Sequence, residues 1–161
     1  MHVADDDVRP FASQLTFGSA LPPRAAVLAL FTLVPKPLDL LSVAAWEEPG
    51  QVGPAAWTLV GLDEGGLAIV RASVEPGAPA EVQSARWHPT AHVRCVGVGV
   101  EAVEMSQETE DPSDYVGRLS WLLRIEGEGE LHLPTPDDGD STRIEAFCRR
   151  IQVLLRARHD G

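Results

Sequence analysis

The segment YVGRLSWLLRIEGEGELHLPTPDDGDSTRIEAFCRRIQVLLRAR, residues 115–158, decides the fold. From Tyr115 to Glu126, Leu119, Trp121, Leu123 and Ile125 alternate with Ser120 and Arg124. A period of two with one apolar face is the pattern of a strand covered on one side. Gly127 and Gly129 then turn the chain into Leu131 and Leu133, with His132 facing outward between them. Past an acidic stretch, Ile144, Phe147, Cys148, Ile151, Leu154 and Leu155 recur three and four residues apart, the stripe of an amphipathic helix. Thr142 and Glu145 have capping-box spacing, Asp137, Asp138 and Asp140 complement the positive helix start, and Arg149, Arg150, Arg156 and Arg158 lie toward the negative end. This order predicts a mainly β domain with one C-terminal α-helix, from about Thr142 to Arg158, laid against an antiparallel sheet or barrel.

Working outward, Trp57–Leu62, Asp63-Glu64-Gly65-Gly66 and Leu67–Ala72 form a strand, a turn and a strand. Gly65 and Gly66 are expected to supply positive φ, and Asp63 a local acceptor. Glu81–His88 alternates Val82, Ser84 and Arg86 against Gln83, Ala85 and Trp87, a strand with one wet face. Pro89 and Thr90 turn the chain into Val93–Met105, with Val96, Val98, Val100 and Ala102 on one face. Gly97 and Gly99 leave its other face bare, which suits a sharp bend or close approach of another segment. Ala25–Val34 is apolar throughout and stops at Pro35-Lys36-Pro37; a buried strand and a short helix both fit it, and Leu38–Trp46 is equally open. Residues 1–20 read as an acidic flexible leader in which Phe11, Leu15 and Phe17, widely spaced among polar residues, could pack on the domain as a short helix ended by Gly18 and Pro22-Pro23, and 21–161 as the domain.

Hairpins of antiparallel strands closed by one helix resemble the bacterial pleckstrin-homology (PH)-like proteins. The resemblance is carried by Leu21-Pro22-Pro23-Arg24-Ala25-Ala26-Val27-Leu28-Ala29 at the first strand, and by Trp57-Thr58-Leu59-Val60 leading to Leu67-Ala68-Ile69-Val70-Arg71-Ala72-Ser73. Trp121-Leu122-Leu123-Arg124-Ile125, followed by a helix with Phe147 and Leu154-Leu155, resembles the end of that fold. It covers roughly residues 21–158. It implies a PH-like antiparallel split barrel of about seven strands capped by one helix, and makes Val27–Val34 the seventh strand rather than a helix. Folds of this kind host many unrelated activities.

Composition narrows the partners. At 161 residues one domain burying about two thirds of its extended surface is expected. A net charge of −11, with Lys36 the single lysine, disfavours nucleic acid and anionic lipid, which require a basic stripe. The phosphoinositide site of PH domains needs several converging cations in the loop after the first strand, whereas here Lys36 is followed by Asp39, Glu47 and Glu48. The start of the chain carries Asp5, Asp6 and Asp7 rather than basic residues, and the apolar run 25–34 is too short to span a bilayer. A cytoplasmic location is expected.

Few residues suggest chemistry. His88, His92 and Cys95 are spaced as soft ligands, but Pro89 makes the histidines turn residues and no fourth ligand is evident. A hydrolytic or small-molecule-binding enzyme using His92 and Cys95 is the third reading, against which an apolar strand thiol has a raised pKa. Cys95 and Cys148 read as buried thiols. No Gly-x-Ser-x-Gly elbow or phosphate loop occurs. No metal or cofactor is expected. Trp46, Trp57, Trp87 and Trp121 read as core, while an exposed one beside Leu122 would mark an interface. The leading expectation is a non-catalytic interaction or scaffold domain. It binds a basic protein through Glu108, Glu110, Asp111, Asp114, Asp137 and Asp138, with Leu122 as apolar contact. A peripheral membrane module recognising lipid head groups is the alternative.

Overall fold

A computed structural model describes residues 8, 11–15, 21–34, 40–48, 53–102, 117–133 and 141–159; for 14, 95–102, 117–120, 141–142 and 158–159 only the backbone is described. Helix α1 (Arg24–Leu33) is followed by strands β1 (Ser42–Glu47), β2 (Ala55–Leu62), β3 (Gly66–Val74), β4 (Glu81–Pro89), β5 (Val93–Ala102), β6 (Gly117–Ile125) and β7 (Gly129–Leu133), and by helix α2 (Ser141–His159). All strand pairs are antiparallel. They form a four-stranded sheet, β1-β2-β3-β4, and a three-stranded sheet, β5-β6-β7. The chain is therefore mainly β with a C-terminal helix, and the two sheets do not close into a barrel. None of the helices among the described residues is long and apolar enough to cross a membrane.

Val27–Val34 is not a strand. Pro23 stands at the N-cap and its carbonyl accepts the amides of Ala26 (2.9 Å) and Val27 (3.1 Å), a position that proline's fixed φ suits. Ala25, Ala26, Leu28, Ala29 and Leu30 are strong helix formers, and Ala26, Val27 and Leu30 are buried at helical spacing. The helix ends where Val34 becomes extended before Pro35. Strand β1, in the stretch that periodicity left open, supplies the seventh strand instead.

Strands β1 to β3 of the four-stranded sheet are covered on both faces, while the edge strand β4 is largely exposed. One face, with Ala44, Trp46, Val60, Leu62, Leu67 and Ile69, packs on Trp121, Leu123, Ile125, Leu131 and Leu133 of the second sheet and on Ile144, Phe147, Cys148 and Ile151 of α2. The other, with Val43, Ala45, Trp57, Leu59, Ala68, Val70 and Ala72, packs on Ala26, Val27, Leu30 and Val34 of the α1 segment. Val8, Phe11 and Leu15 join this second core, and Phe11 meets Phe31 edge to face at 5.6 Å. The leader is thus not separate from the domain at these three residues; Phe17 lies outside the described residues. Burial on both faces explains why β2 and β3 are apolar almost without alternation.

The β2–β3 turn corrects a second expectation. Asp63 Oδ1 accepts the amides of Gly65 (2.7 Å) and Gly66 (2.6 Å) as anticipated, but neither glycine has positive φ. Gly66 is required for space: a Cβ there would lie 2.4 Å from the Trp87 ring and 2.5 Å from the His88 carbonyl oxygen. Positive φ occurs instead at Gly127 and Gly129, around the β6–β7 turn. Helix α2 packs against β1 and β5. It begins one residue before the expected start, and the side chain of Thr142 is among those not described.

Because Phe11 is almost wholly buried, Phe11→Ala should lower unfolding free energy by about 3–5 kcal/mol. Urea titration measures this; unchanged stability would show that the first fifteen residues contribute nothing to the core.

Candidate functional site

Two places carry more than packing. The first is a charged cluster between the sheets. Arg71, Arg86 and His88 share one pleat face of β3 and β4, since Ile69 pairs with Arg86 and Leu67 with His88 in register. That face is turned toward the second sheet, where the β6–β7 turn presents Glu128. Arg71 donates to Glu128 Oε1, and Arg86 to Oε2 at 3.0 Å. His88 Nε2 lies 3.7 Å from Oε2, too far for a hydrogen bond, and is buried without a hydrogen-bond partner. The Glu128 side chain is 6% exposed, whereas those of Arg71 and Arg86 are 35% and 60% exposed. The cluster is therefore open to water on its arginine side.

Burial alone would raise the Glu128 carboxyl. The hydrogen bond and charge of Arg71, joined by Arg86, outweigh it and hold the group below its ordinary value. For His88, burial is the largest influence and lowers its pKa. Glu128 acts in the opposite sense, while Arg86, His92 and Arg71 add to the lowering.

The second place is the outer face of the three-stranded sheet. Trp121, Leu123 and Ile125 point into the core, so Leu122 and Arg124 face away from it. Leu122 is half-buried and pairs in register with Gly97 on one side and His132 on the other. Arg124 bonds Glu130 across the strands (2.6 Å), and Arg94 bonds Glu126 (3.0 Å). Arg124, Glu130 and His132 are exposed, so no layer covers them. Strands β5 and β7 both run opposite to β6; β5 reaches the N-terminal end of β6, with Ala102 opposite Gly117, whereas β7 stops midway along it, with Leu133 opposite Trp121. The acidic segment 103–116 joins β5 to β6, and the acidic segment 134–140 follows β7. Glu108, Glu110, Asp111, Asp114, Asp137 and Asp138 lie within them, outside the described residues; Leu122 alone of the expected contacts is placed.

Of the four tryptophans, Trp46, Trp57 and Trp121 are buried, and Trp46 Nε1 and Thr58 Oγ1 both donate to Glu48 at 2.9 Å. Trp87 is 38% exposed, over the Gly66 turn rather than beside Leu122. An open groove of about 500 Å³ is lined by Leu21, Pro23, Arg24, Trp57 and Val74 among others. It offers apolar area and no nucleophile or acid. His92 is exposed, the Cys95 side chain is not described, and among the described residues no three His, Cys, Asp or Glu are grouped to hold a metal ion. Cys148 is a free buried thiol, pushed up to about 12 by burial and by Glu145.

Sequence reasoning found Leu122 through its alternation. It missed the Glu128 cluster, because Arg71 and Glu128 are far apart in the chain and only the Gly-Glu-Gly turn signalled that a carboxylate would be presented there.

Both His88 and Glu128 are held below their ordinary values of 6.5 and 4.5. The unfolded chain therefore binds protons first, and stability falls as pH drops below 6.5 and again below 4.5. In urea titrations from pH 7 to 5, His88→Phe should flatten the upper step, and an unchanged slope would contradict the assignment to His88. In a Cys95→Ser background, Cys148 should react with a thiol reagent at least about a hundredfold more slowly folded than unfolded; equal rates would contradict its burial. No protein-family model matches this chain, and no curated protein and no solved structure shows significant similarity to it.

Proposed function

We propose that this chain is a non-catalytic protein-interaction domain that binds a basic partner through the uncovered side of its three-stranded sheet. The observation that carries the proposal is the register of that sheet. It sets the half-buried Leu122 beside the exposed His132 and points the C-terminal ends of β5 and β7 the same way, into the two acidic segments. Neither segment contains Lys or Arg, while Glu104, Glu108, Glu110, Asp111 and Asp114 occupy one and Asp137, Asp138 and Asp140 the other. Carboxylates so concentrated steer a cationic surface, and an apolar residue such as Leu122 supplies desolvated contact. The ion pairs Arg124–Glu130 and Arg94–Glu126 form a polar rim, the anatomy of protein contact surfaces.

We further infer that the fold is PH-like. Four strands and then three, with the closing helix against β1 and β5, is the order such a split barrel requires. A cytoplasmic location is proposed on the same terms and is supported by the free thiol of Cys148.

The test is capture from native lysate with untagged protein at low and high salt. A Glu108→Gln/Glu110→Gln/Asp111→Asn variant and a Leu122→Lys variant run alongside. The proposal expects one partner, held at low salt and released at high salt, with association to the first variant slowed about tenfold or more. Capture indifferent to salt and to both variants, or no capture, overturns it.

A further inference from the structure

The cluster of Arg71, Arg86 and His88 has the composition of an anion site, and its present occupant belongs to the same chain. Two guanidinium groups and a buried imidazole converge from adjacent strands on one point, and the side chain that fills this point is the Glu128 carboxylate. The fit is incomplete. A planar carboxylate has two oxygens, and the arginines take both: Arg71 bonds Oε1 and Arg86 bonds Oε2. His88 Nε2 is left buried and unpartnered, 3.7 Å from Oε2. An orphaned polar atom of this kind normally has a partner in a native protein. A tetrahedral oxyanion carries a further oxygen, which would serve His88 while the other oxygens keep the arginines.

The turn that delivers Glu128 is exposed on both sides of this residue. Gly127 and Gly129 flank it at φ 81° and 92°, and a Cβ at either would meet nothing within 4 Å. The tip of the hairpin is held by its ion pairs and two backbone bonds, from the Glu128 amide to the Ile125 carbonyl at 3.1 Å and from the Glu126 amide to the His92 carbonyl at 2.9 Å; its ties to β3 and β4 are the ion pairs of Glu128 with Arg71 and Arg86. The arginine side of the cluster is open to solvent, so a ligand has a path in.

We propose that Arg71, Arg86 and His88 form a binding cradle for a phosphoryl group, and that Glu128 is its intramolecular plug, displaced when the ligand enters. A phosphoryl dianion competes with the tethered carboxylate because it offers more charge and more acceptors to the same donors. On entry the β6–β7 turn loses its ties to β3 and β4, which couples occupancy of the cradle to the position of the hairpin.

The test follows the His88 ring by NMR during titration with inorganic phosphate at pH 7.5 and constant ionic strength. The wild type should show a saturable His88 shift that acetate does not reproduce. Glu128→Gln, which keeps the shape and removes the competing charge, should bind phosphate about tenfold or more tightly. Glu128→Asp, whose carboxylate is withdrawn by one methylene, should fall between them and provides a second reading should the glutamine variant fold poorly. Arg71→Gln/Arg86→Gln should show no saturable shift. Vesicles containing a phosphoinositide identify the source: flotation of the protein that free phosphate abolishes assigns the phosphoryl group to a lipid head group. Phosphate binding without flotation assigns it to a soluble phosphate. A wild-type His88 that does not respond to phosphate, or an arginine variant that responds as the wild type does, overturns the proposal.

Discussion

Strands β1 to β3 of the four-stranded sheet are buried on both faces, and the remaining elements are arranged to keep them so. Trp46, Val60, Leu62, Leu67 and Ile69 require one apolar layer, and Trp57, Leu59, Ala68 and Val70 require another. The second sheet and α2 provide the first. The α1 segment, with Phe11 and Leu15, provides the second. Removing either layer would expose strands that have no polar face to offer water, at roughly 25 cal/mol per Å² of apolar surface. Val8, Phe11 and Leu15 are therefore part of the fold.

Such a sheet leaves little room for ionisable groups, and the exceptions are informative. Arg71, Arg86 and His88 face the second sheet beside the apolar core, toward the β4 edge, and Glu128 crosses to meet them. Glu128 and His88 are the buried members, and the more exposed arginines solvate the cluster from outside. A buried carboxylate is tolerated when paired and hydrogen-bonded and is costly when left alone. The hairpin tip is thus tied to the first sheet by charge, where the rest of the interface is apolar.

Among the described residues, the outer face of the second sheet is exposed at Arg124, Glu130 and His132 and half-exposed at Leu122. The sheet's inner residues belong to the core, while Leu122, Arg124, Glu130 and His132 face away from it. A one-sided antiparallel sheet is stable in water, so this face is free to serve recognition. The C-terminal ends of β5 and β7 point the same way, into the two acidic segments.

Alternation and helical spacing determined strands β2 to β7 and the C-terminal helix, because those signals depend only on which residues are buried relative to their neighbours. Gly127 and Gly129, flanking a single carboxylate between two strands, were equally legible as a turn. Periodicity could not classify Ala25–Val34, since a segment apolar on all sides satisfies either period; helix-forming alanines and leucines behind Pro23 prevailed over the resemblance that favoured a strand. Gly66 was legible as a turn glycine, but its reason, the Trp87 ring lying against it, is a contact between strands. The meeting of Arg71, Arg86 and His88 with Glu128 was decided by tertiary structure alone. It depends on how two sheets stack, and ion pairs between distant residues leave no periodic trace in a sequence.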